Sequence, residues 1–312
     1  MEGDRAYGSG MDGSVALPRP LLALVLRLAT ALALATMSML VKLAASRGVH
    51  LAELVFWRQA LTFCLIAGWL TAAGRLSNVR TKRIGAHFRR SIYGIIGMGF
   101  VYGAVILLPL AEATTISFTT PVFAVLLAMI LFREKIGVYR WTAIVLGFAG
   151  VLFVTRPGGG AIDPLGLAVG LVAAFLVALI SIQIQDLNKT ETPFSIIFWF
   201  TAMTAPLAAL ALPFVIGPHD ALTWTIIGGM ALCGAVAQML LTTSLRYGSA
   251  ATIIVMDYTA LIWATLYGWF VFDNLPPVTL WLGAPLIVAA GLTITLREHR
   301  LSRKKKAISL EI

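Results

Sequence analysis

The chain has 312 residues, of which 59% are hydrophobic and only 12% charged, and its mean hydropathy is +0.89. A soluble domain carries about 25% charged residues, so too few charges exist here to build a water-facing surface, and hydrocarbon must be the solvent for most of the chain. The net charge of +10 would suggest nucleic acid in a soluble protein, but here Lys and Arg sit in short stretches between apolar runs, the pattern of cytoplasmic membrane loops, and no nucleic-acid partner follows.

Residues 1–20 are Gly-rich and aperiodic, the composition of a disordered tail, with Met11 an alternative start inside it. The next apolar run lacks a small-residue cleavage site at a signal-peptide position and reads as a retained first helix over 21–46. Comparable runs follow over 51–73, 91–110, 113–132, 138–155, 164–187, 193–215, 222–245, 249–271 and 278–296. Each suits a helix crossing hydrocarbon about 30 Å thick. The prediction is an all-α membrane protein with ten transmembrane helices. Strands are excluded because an open sheet leaves backbone groups unsatisfied in lipid and the runs lack barrel alternation. Cys64 and Cys233 both lie within apolar runs, so no disulfide framework is expected. A basic tail occupies 297–312.

With the N-terminus inside, nineteen of the 24 Lys and Arg fall in cytoplasmic segments, chiefly the Arg75–Arg90 loop and the Arg297–Lys306 tail; Arg47 and Arg156 fall outside. The positive-inside rule therefore predicts that both termini are cytoplasmic, with Arg156–Asp163 and His219–Asp220 external.

The chain also repeats itself. Val55-Phe-Trp-Arg58 returns as Ile197-Phe-Trp-Phe200, 142 positions later. The fourth predicted helix ends at Glu134, before a helix with Gly147 and Gly150; the ninth ends at Asp273, before a helix with Gly283 and Gly291. Two apolar helices can share a few letters by chance, yet the joint matches favour halves over 21–155 and 156–296. Five helices separate equivalent points, which would invert one half against the other, a recurrent build of secondary transporters.

The segment Pro109-Leu-Ala-Glu-Ala-Thr-Thr-Ile-Ser-Phe-Thr-Thr-Pro121, with Arg133-Glu134-Lys135, Gly147 to Gly150 and Arg156-Pro157-Gly158, resembles the EamA repeat of the drug/metabolite transporter superfamily. The second copy, from Tyr247-Gly-Ser-Ala-Ala through Tyr258, Gly268-Trp269, Asp273 and Gly283, is similar but has Val255 or Ala260 where a proline is expected and Asp273 where Glu is usual. The resemblance spans residues 20–296. It implies two inverted five-helix repeats, helices 1–4 and 6–9 around a central cavity, peripheral helices 5 and 10, and a multi-pass place in the bacterial inner membrane. The layout is most similar to bacterial YddG-type amino-acid exporters. The superfamily carries amino acids, nucleotide-linked metabolites, vitamins and drugs, so it does not name the cargo.

An ionisable side chain within a membrane costs roughly 2.5–3.5 kcal/mol on insertion scales and calls for a partner or a water-filled cavity. Asp257 shares a face of the ninth helix with Ala260, Ala264 and Gly268, opposite Ile262, Leu266, Trp269 and Phe270, so it should point into the bundle. A substrate ammonium, a coupling proton or a fixed ion pair would each suit it. Arg58 can grip a carboxylate or pair with Glu53 or Asp257. Lys42 shares a face with Ala31, Ala35, Ser38 and Ala45 and either lines the cavity or snorkels outward. Trp57, Tyr102, Gln183, Trp199, Gln238, Tyr258 and Trp263 complete a candidate pocket, although membrane aromatics more often pack or anchor. Gly99-x-x-x-Gly103 and Gly166-x-x-x-Gly170 permit close packing, and Pro121 is a candidate hinge or kink in the fourth helix.

His50, His87, His219 and His299 are read as loop or tail residues, which leaves no metal site in the bundle, and no P-loop is present. The expectation is a secondary transporter without cofactor, not an enzyme, whose partners are a small-molecule substrate and the lipid bilayer. An amino acid moved outward is the first cargo considered. Alternatives are another metabolite, such as a vitamin or nucleotide-related compound, or an integral membrane enzyme acting on a lipid-linked substrate.

Overall fold

A computed structural model describes residues 20–132, 138–155, 163–247 and 257–308. The N-terminal tail, Arg133-Glu134-Lys135, Arg156-Pro157-Gly158 and the Gly248 to Val255 part of the second motif lie outside the described residues. The helices are α1 (Pro20–Ser46), α2 (Leu51–Ala72), α3 (Ile84–Leu107), α4 (Leu110–Ser117), α5 (Thr120–Phe132), α6 (Val138–Thr155), α7 (Pro164–Leu187), α8 (Pro193–Ala209), α9 (Leu212–Val215), α10 (Ala221–Tyr247), α11 (Ala260–Phe272) and α12 (Val278–Ile308). No strand occurs among the described residues. Among the described residues, six spans are long and apolar enough to cross a membrane, and four further apolar stretches are shorter. Bulky side chains such as Ile130, Leu152, Phe153 and Phe270 face outward. In water such a surface would be a liability; in lipid it is the required solvent contact.

Local chemistry sets the helix ends. Asp163 accepts from the Leu165 and Gly166 amides ahead of Pro164, and Thr192 accepts from the Ser195 amide ahead of Pro193. Both combine a side-chain cap with proline in the first turn, where its missing N–H is harmless. Gly48 turns the chain between α1 and α2 at φ +86°, a conformation that side chains with a Cβ rarely adopt.

Several spans differ from the sequence expectation; among them the seventh stops at Ala209 and resumes as the short α9, and the tenth runs on to Ile308. The third begins at Ile84 rather than 91, so Arg89 and Arg90, assigned to the loop, lie within α3. The fourth is two helices, with a break at Phe118 and Thr119. Pro121 is therefore not a kink within a continuous helix but a first-turn residue of α5. An equivalent turn at Tyr258 and Thr259 precedes α11, 140 positions later. The two breaks meet, with the Phe118 and Tyr258 rings edge to face at 4.8 Å.

Helix packing has the symmetry of the repeat. Helix α1 packs on α10 as α7 packs on α3, α10 on α2 as α3 on α8, and α1 on α11 as α7 on α4 and α5. The pairs α2–α8 and α6–α12 join equivalent helices of the two halves, and α4–α11 joins the two broken spans. Exchanging the halves carries these pairs onto one another, although α1–α3 and α2–α3 contacts are not matched by α7–α10 and α8–α10 contacts of similar extent. At the α6–α12 crossing the backbones touch: a Cβ on Gly150 would lie 2.8 Å from the Gly283 carbonyl oxygen, and one on Gly283 would lie 2.6 Å from that of Gly150.

Candidate functional site

Where the halves meet, α1–α5, α7, α8, α10 and residues 257–260 enclose a cavity of about 710 Å³, while α6 and α12 contribute nothing to its wall. That is ample for a small metabolite. The wall is mostly small and apolar: Ala31, Ala35, Gly94, Gly97, Gly170, Ala173 and Ala174 keep the backbones close to the space they surround. On α11 the small residues Ala264 and Gly268 are buried while Ile262, Trp269 and Phe270 are exposed, the division that their spacing demands.

Three arginines and one aspartate reach the cavity wall. Arg27 holds Asp257 in a two-pronged pair, Nε to Oδ1 and Nη2 to Oδ2, each 2.5 Å. A planar guanidinium facing a carboxylate makes both bonds without strain. Arg58 donates from Nη1 to the Met98 sulfur at 3.2 Å, a weak acceptor, and its Nε has no protein partner. Arg90 is 8% exposed, has its guanidinium carbon 3.7 Å from the centre of the Phe200 ring and, among the described residues, leaves Nε and Nη1 without partners. Arg58 and Arg90 are close enough to repel each other. Tyr102 is buried beside them, its hydroxyl 3.9 Å from the sulfurs of Met37 and Met230.

Of the residues singled out from sequence, Arg58, Tyr102, Pro121, Gln238, Asp257 and Tyr258 line this cavity. The anticipated Arg58 pairs with Asp257 or Glu53 do not form, because Arg27 takes Asp257 and His219 takes Glu53. Lys42 does not line the cavity. Its ammonium donates to the Val105, Ile106 and Leu108 carbonyls at 3.1, 3.0 and 2.7 Å, closing the C-terminal end of α3. The face assigned to Lys42 is nonetheless the lining face of α1, since Ala31, Ala35 and Ser38 are on the wall. Its charged occupant is Arg27, one turn before Ala31. Lys42→Met should therefore destabilise the protein by about 2–3 kcal/mol, the scale for hydrogen bonds to a charged group, visible as a lower unfolding temperature in detergent. An unchanged melt would remove Lys42 from this structural role.

Trp57 and Trp199 also lie off the wall. Trp57 donates to Glu53 and packs edge-on against Trp224, and Trp199 donates to the Val79 carbonyl at 2.7 Å. Gln183 is off the wall too, its Oε1 buried without a partner. Gly99 is not a contact, as a Cβ there meets nothing within 4 Å; Gly103 does sit tightly, 3.3 Å from Val169. His87 is fully buried in α3 rather than in a loop. Among the described residues no group of three His, Cys, Asp or Glu is placed to hold a metal. Arg90 was missed because the apolar run was started too late. Its spacing with Gly94, Gly97 and Val101 is that of one helix face, and all four line the cavity.

A polar cluster sits at each end of the bundle. At one, Glu53 and His219 approach to 3.0 Å, Trp57 donates to Glu53, and Arg47 pairs with Asp220 at 2.7 Å. At the other, His87 lies 3.8 Å from Glu191, Trp199 neighbours His87, and Arg83 pairs with Asp186 at 2.5 Å. Trp57 and Trp199 are the equivalent residues of the two motif copies. Hydrogen bonds from the Thr223 hydroxyl and amide, then the nearby Arg47, hold the Asp220 carboxyl below its usual range. Its contribution is present above the ordinary carboxylate value of about 3.9 and is lost only as pH falls through the lower folded value. Asp220 therefore stays ionised at any pH near neutral.

The chain matches the EamA-like transporter family over residues 21–156 and again over 164–296. It is 28% identical to a riboflavin transporter of Vibrio cholerae serotype O1, over 80% of this chain and 84% of the relative. It is 27% identical to the pseudopaline exporter CntI of Pseudomonas aeruginosa, over 84% and 89%. A solved structure titled only as the crystal structure of a protein matches with a TM-score of 0.59 at 20% identity, covering 88% of this chain and 98% of that one, a likeness of fold.

Proposed function

The chain belongs to the EamA-like transporter family, a multi-pass inner-membrane carrier of small metabolites and not an enzyme, and from that premise we propose that it works by alternating access through the cavity between its halves. The observation that carries this reading is that α1–α10 and α3–α7, and α2–α10 and α3–α8, are related by exchange of the halves, with both helix breaks bordering the cavity between them. Six long spans among the described residues, with four shorter apolar helices counted as crossings too, support a reading of ten, five to each half. An odd number of crossings per half inverts one against the other, so equivalent ends face opposite sides of the membrane. Ten crossings would put both termini on one side, and the Lys and Arg of the Arg75–Arg90 loop and the C-terminal tail favour the cytoplasm. Cysteine placed at Pro218 in a chain lacking Cys64 and Cys233 should react with an impermeant maleimide on intact cells. Cysteine at Ser77 should react only after permeabilisation; the reverse pattern would overturn the orientation.

Amino-acid export is the finer reading that the sequence favours, and the cavity supports half of it. Arg58 is open to a carboxylate, whereas Asp257 already bonds Arg27, so an incoming ammonium must compete for it. Counterflow in proteoliposomes, with amino acids first and riboflavin next, tests transport itself. Uptake of a labelled solute against its unlabelled form supports the carrier reading; a solute altered rather than moved would place the protein among membrane enzymes.

A further inference from the structure

Arg27 and Asp257 neutralise each other, but Arg58 and Arg90 have no carboxylate partner among the described residues. Two cations therefore stand uncompensated on one mostly apolar wall, close enough to repel. Such an arrangement is unfavourable in a membrane protein. It persists where charge of opposite sign arrives from outside the fold. We propose that the cavity binds a small organic anion with an apolar body, its carboxylate or phosphate oxygens on Arg58 and Arg90, and that this is the charge class of the cargo. The proposal rests on the carrier reading above.

The geometry is specific beyond charge. The Arg90 guanidinium carbon lies 3.7 Å from the centre of the Phe200 ring, a cation–π contact that restrains it, while Nε and Nη1, on different edges of the guanidinium, are each left to donate to an oxygen of the anion. Arg58 is held only by a methionine sulfur, a partner that an oxyanion displaces readily. Gly94 and Gly234 make room: a Cβ on Gly94 would sit 2.7 Å from Arg90 Nη1, and one on Gly234 would sit 2.8 Å from Arg58 Nε. The rings of Tyr102 and Phe118 border the same space and suit an apolar or planar body. A cationic substrate meets two like charges. A zwitterion gains from the arginines at one end and has to open the Arg27–Asp257 pair at the other.

The test uses one body in several charge states: indole-3-acetate and indoxyl phosphate as anions, indole-3-acetamide as the neutral form, tryptamine as the cation and tryptophan as the zwitterion. Succinate against succinamide and benzoate against benzamide repeat the comparison on other bodies. Binding is measured by calorimetry on the full chain in nanodiscs. At least one anion should bind ten-fold or more tightly than its amide, tryptamine should be weakest of the indoles, and Arg90→Gln should abolish the anion's advantage without raising the affinity of the neutral form. Carboxylate and phosphate arms then separate the two oxyanion sources. If Arg90→Gln does not fold, Arg58→Gln takes its place, and Arg90→Lys, which keeps the charge but loses the planar fork, should give an intermediate value. The proposal is overturned if no anion outbinds its amide, or if the neutralised variants keep the preference. Transport of neutral or cationic solutes alone in the counterflow assay would overturn it too while leaving the carrier reading intact.

Discussion

Asp257→Asn should destabilise the protein by about 3 kcal/mol and lower transport at least ten-fold, since it strands the Arg27 guanidinium with a neutral amide in a largely buried position. Asn keeps the shape and removes only the anion. The cost lies in the cation left behind, so removing that cation should return stability. Arg27→Gln with Asp257→Asn forms a neutral pair of similar size, and its melting temperature should recover most of the loss. Transport should not recover with it, because the pair borders the cavity where the two helix breaks meet. Thermal unfolding and counterflow on the three variants separate these effects. A single Asp257→Asn variant that melts and transports like the parent would reduce the ion pair to an incidental contact.

The second large effect belongs to the crossing of α6 and α12. Gly150→Leu or Gly283→Leu forces a side chain into a space occupied by the facing backbone, whose carbonyl oxygen cannot rotate aside as a flexible side chain would. The expected cost is about 3 kcal/mol or more, the upper end for overpacking. In membrane extracts this should appear as loss of the monodisperse peak in size-exclusion chromatography. Gly99→Ala is the control: a Cβ there meets nothing within 4 Å, and the change should raise stability by up to about 1 kcal/mol through helix propensity. Equal behaviour of the Gly150 and Gly99 variants would contradict the crossing geometry.

The division between what the sequence reveals and what it conceals follows from range. Span lengths and caps are local properties, so the apolar runs coincide with helices, and the EamA resemblance agrees with the family match. Faces are local as well: three-and-four spacing placed Ala31, Ala35 and Ser38 on the lining side of α1, and Asp257 beside the small residues of α11. Partners are not local. Nothing between Arg27 and Asp257, 230 positions apart, marks them as a pair, and nothing in α2 indicates that Glu53 meets a histidine 166 positions away. Lys42 shows the same limit. Depth and face suited the cavity, but the carbonyls freed at the end of α3 lie nearer. Arg90 was lost for a simpler reason, since a charged first turn hides where a membrane helix begins.

The clusters at the two ends, Glu53–His219 with Arg47–Asp220 and Glu191–His87 with Arg83–Asp186, use the same residue types around equivalent tryptophans. Under the alternating-access proposal, each shape would open one end and keep the other closed, so breaking one cluster would be offset by keeping the other. A gap of about 1.4 kcal/mol shifts a two-state ratio ten-fold. The clusters are unequal, since Glu53 and His219 are hydrogen-bonded at 3.0 Å whereas His87 stands 3.8 Å from Glu191, and that inequality would set which end of an empty carrier stays closed.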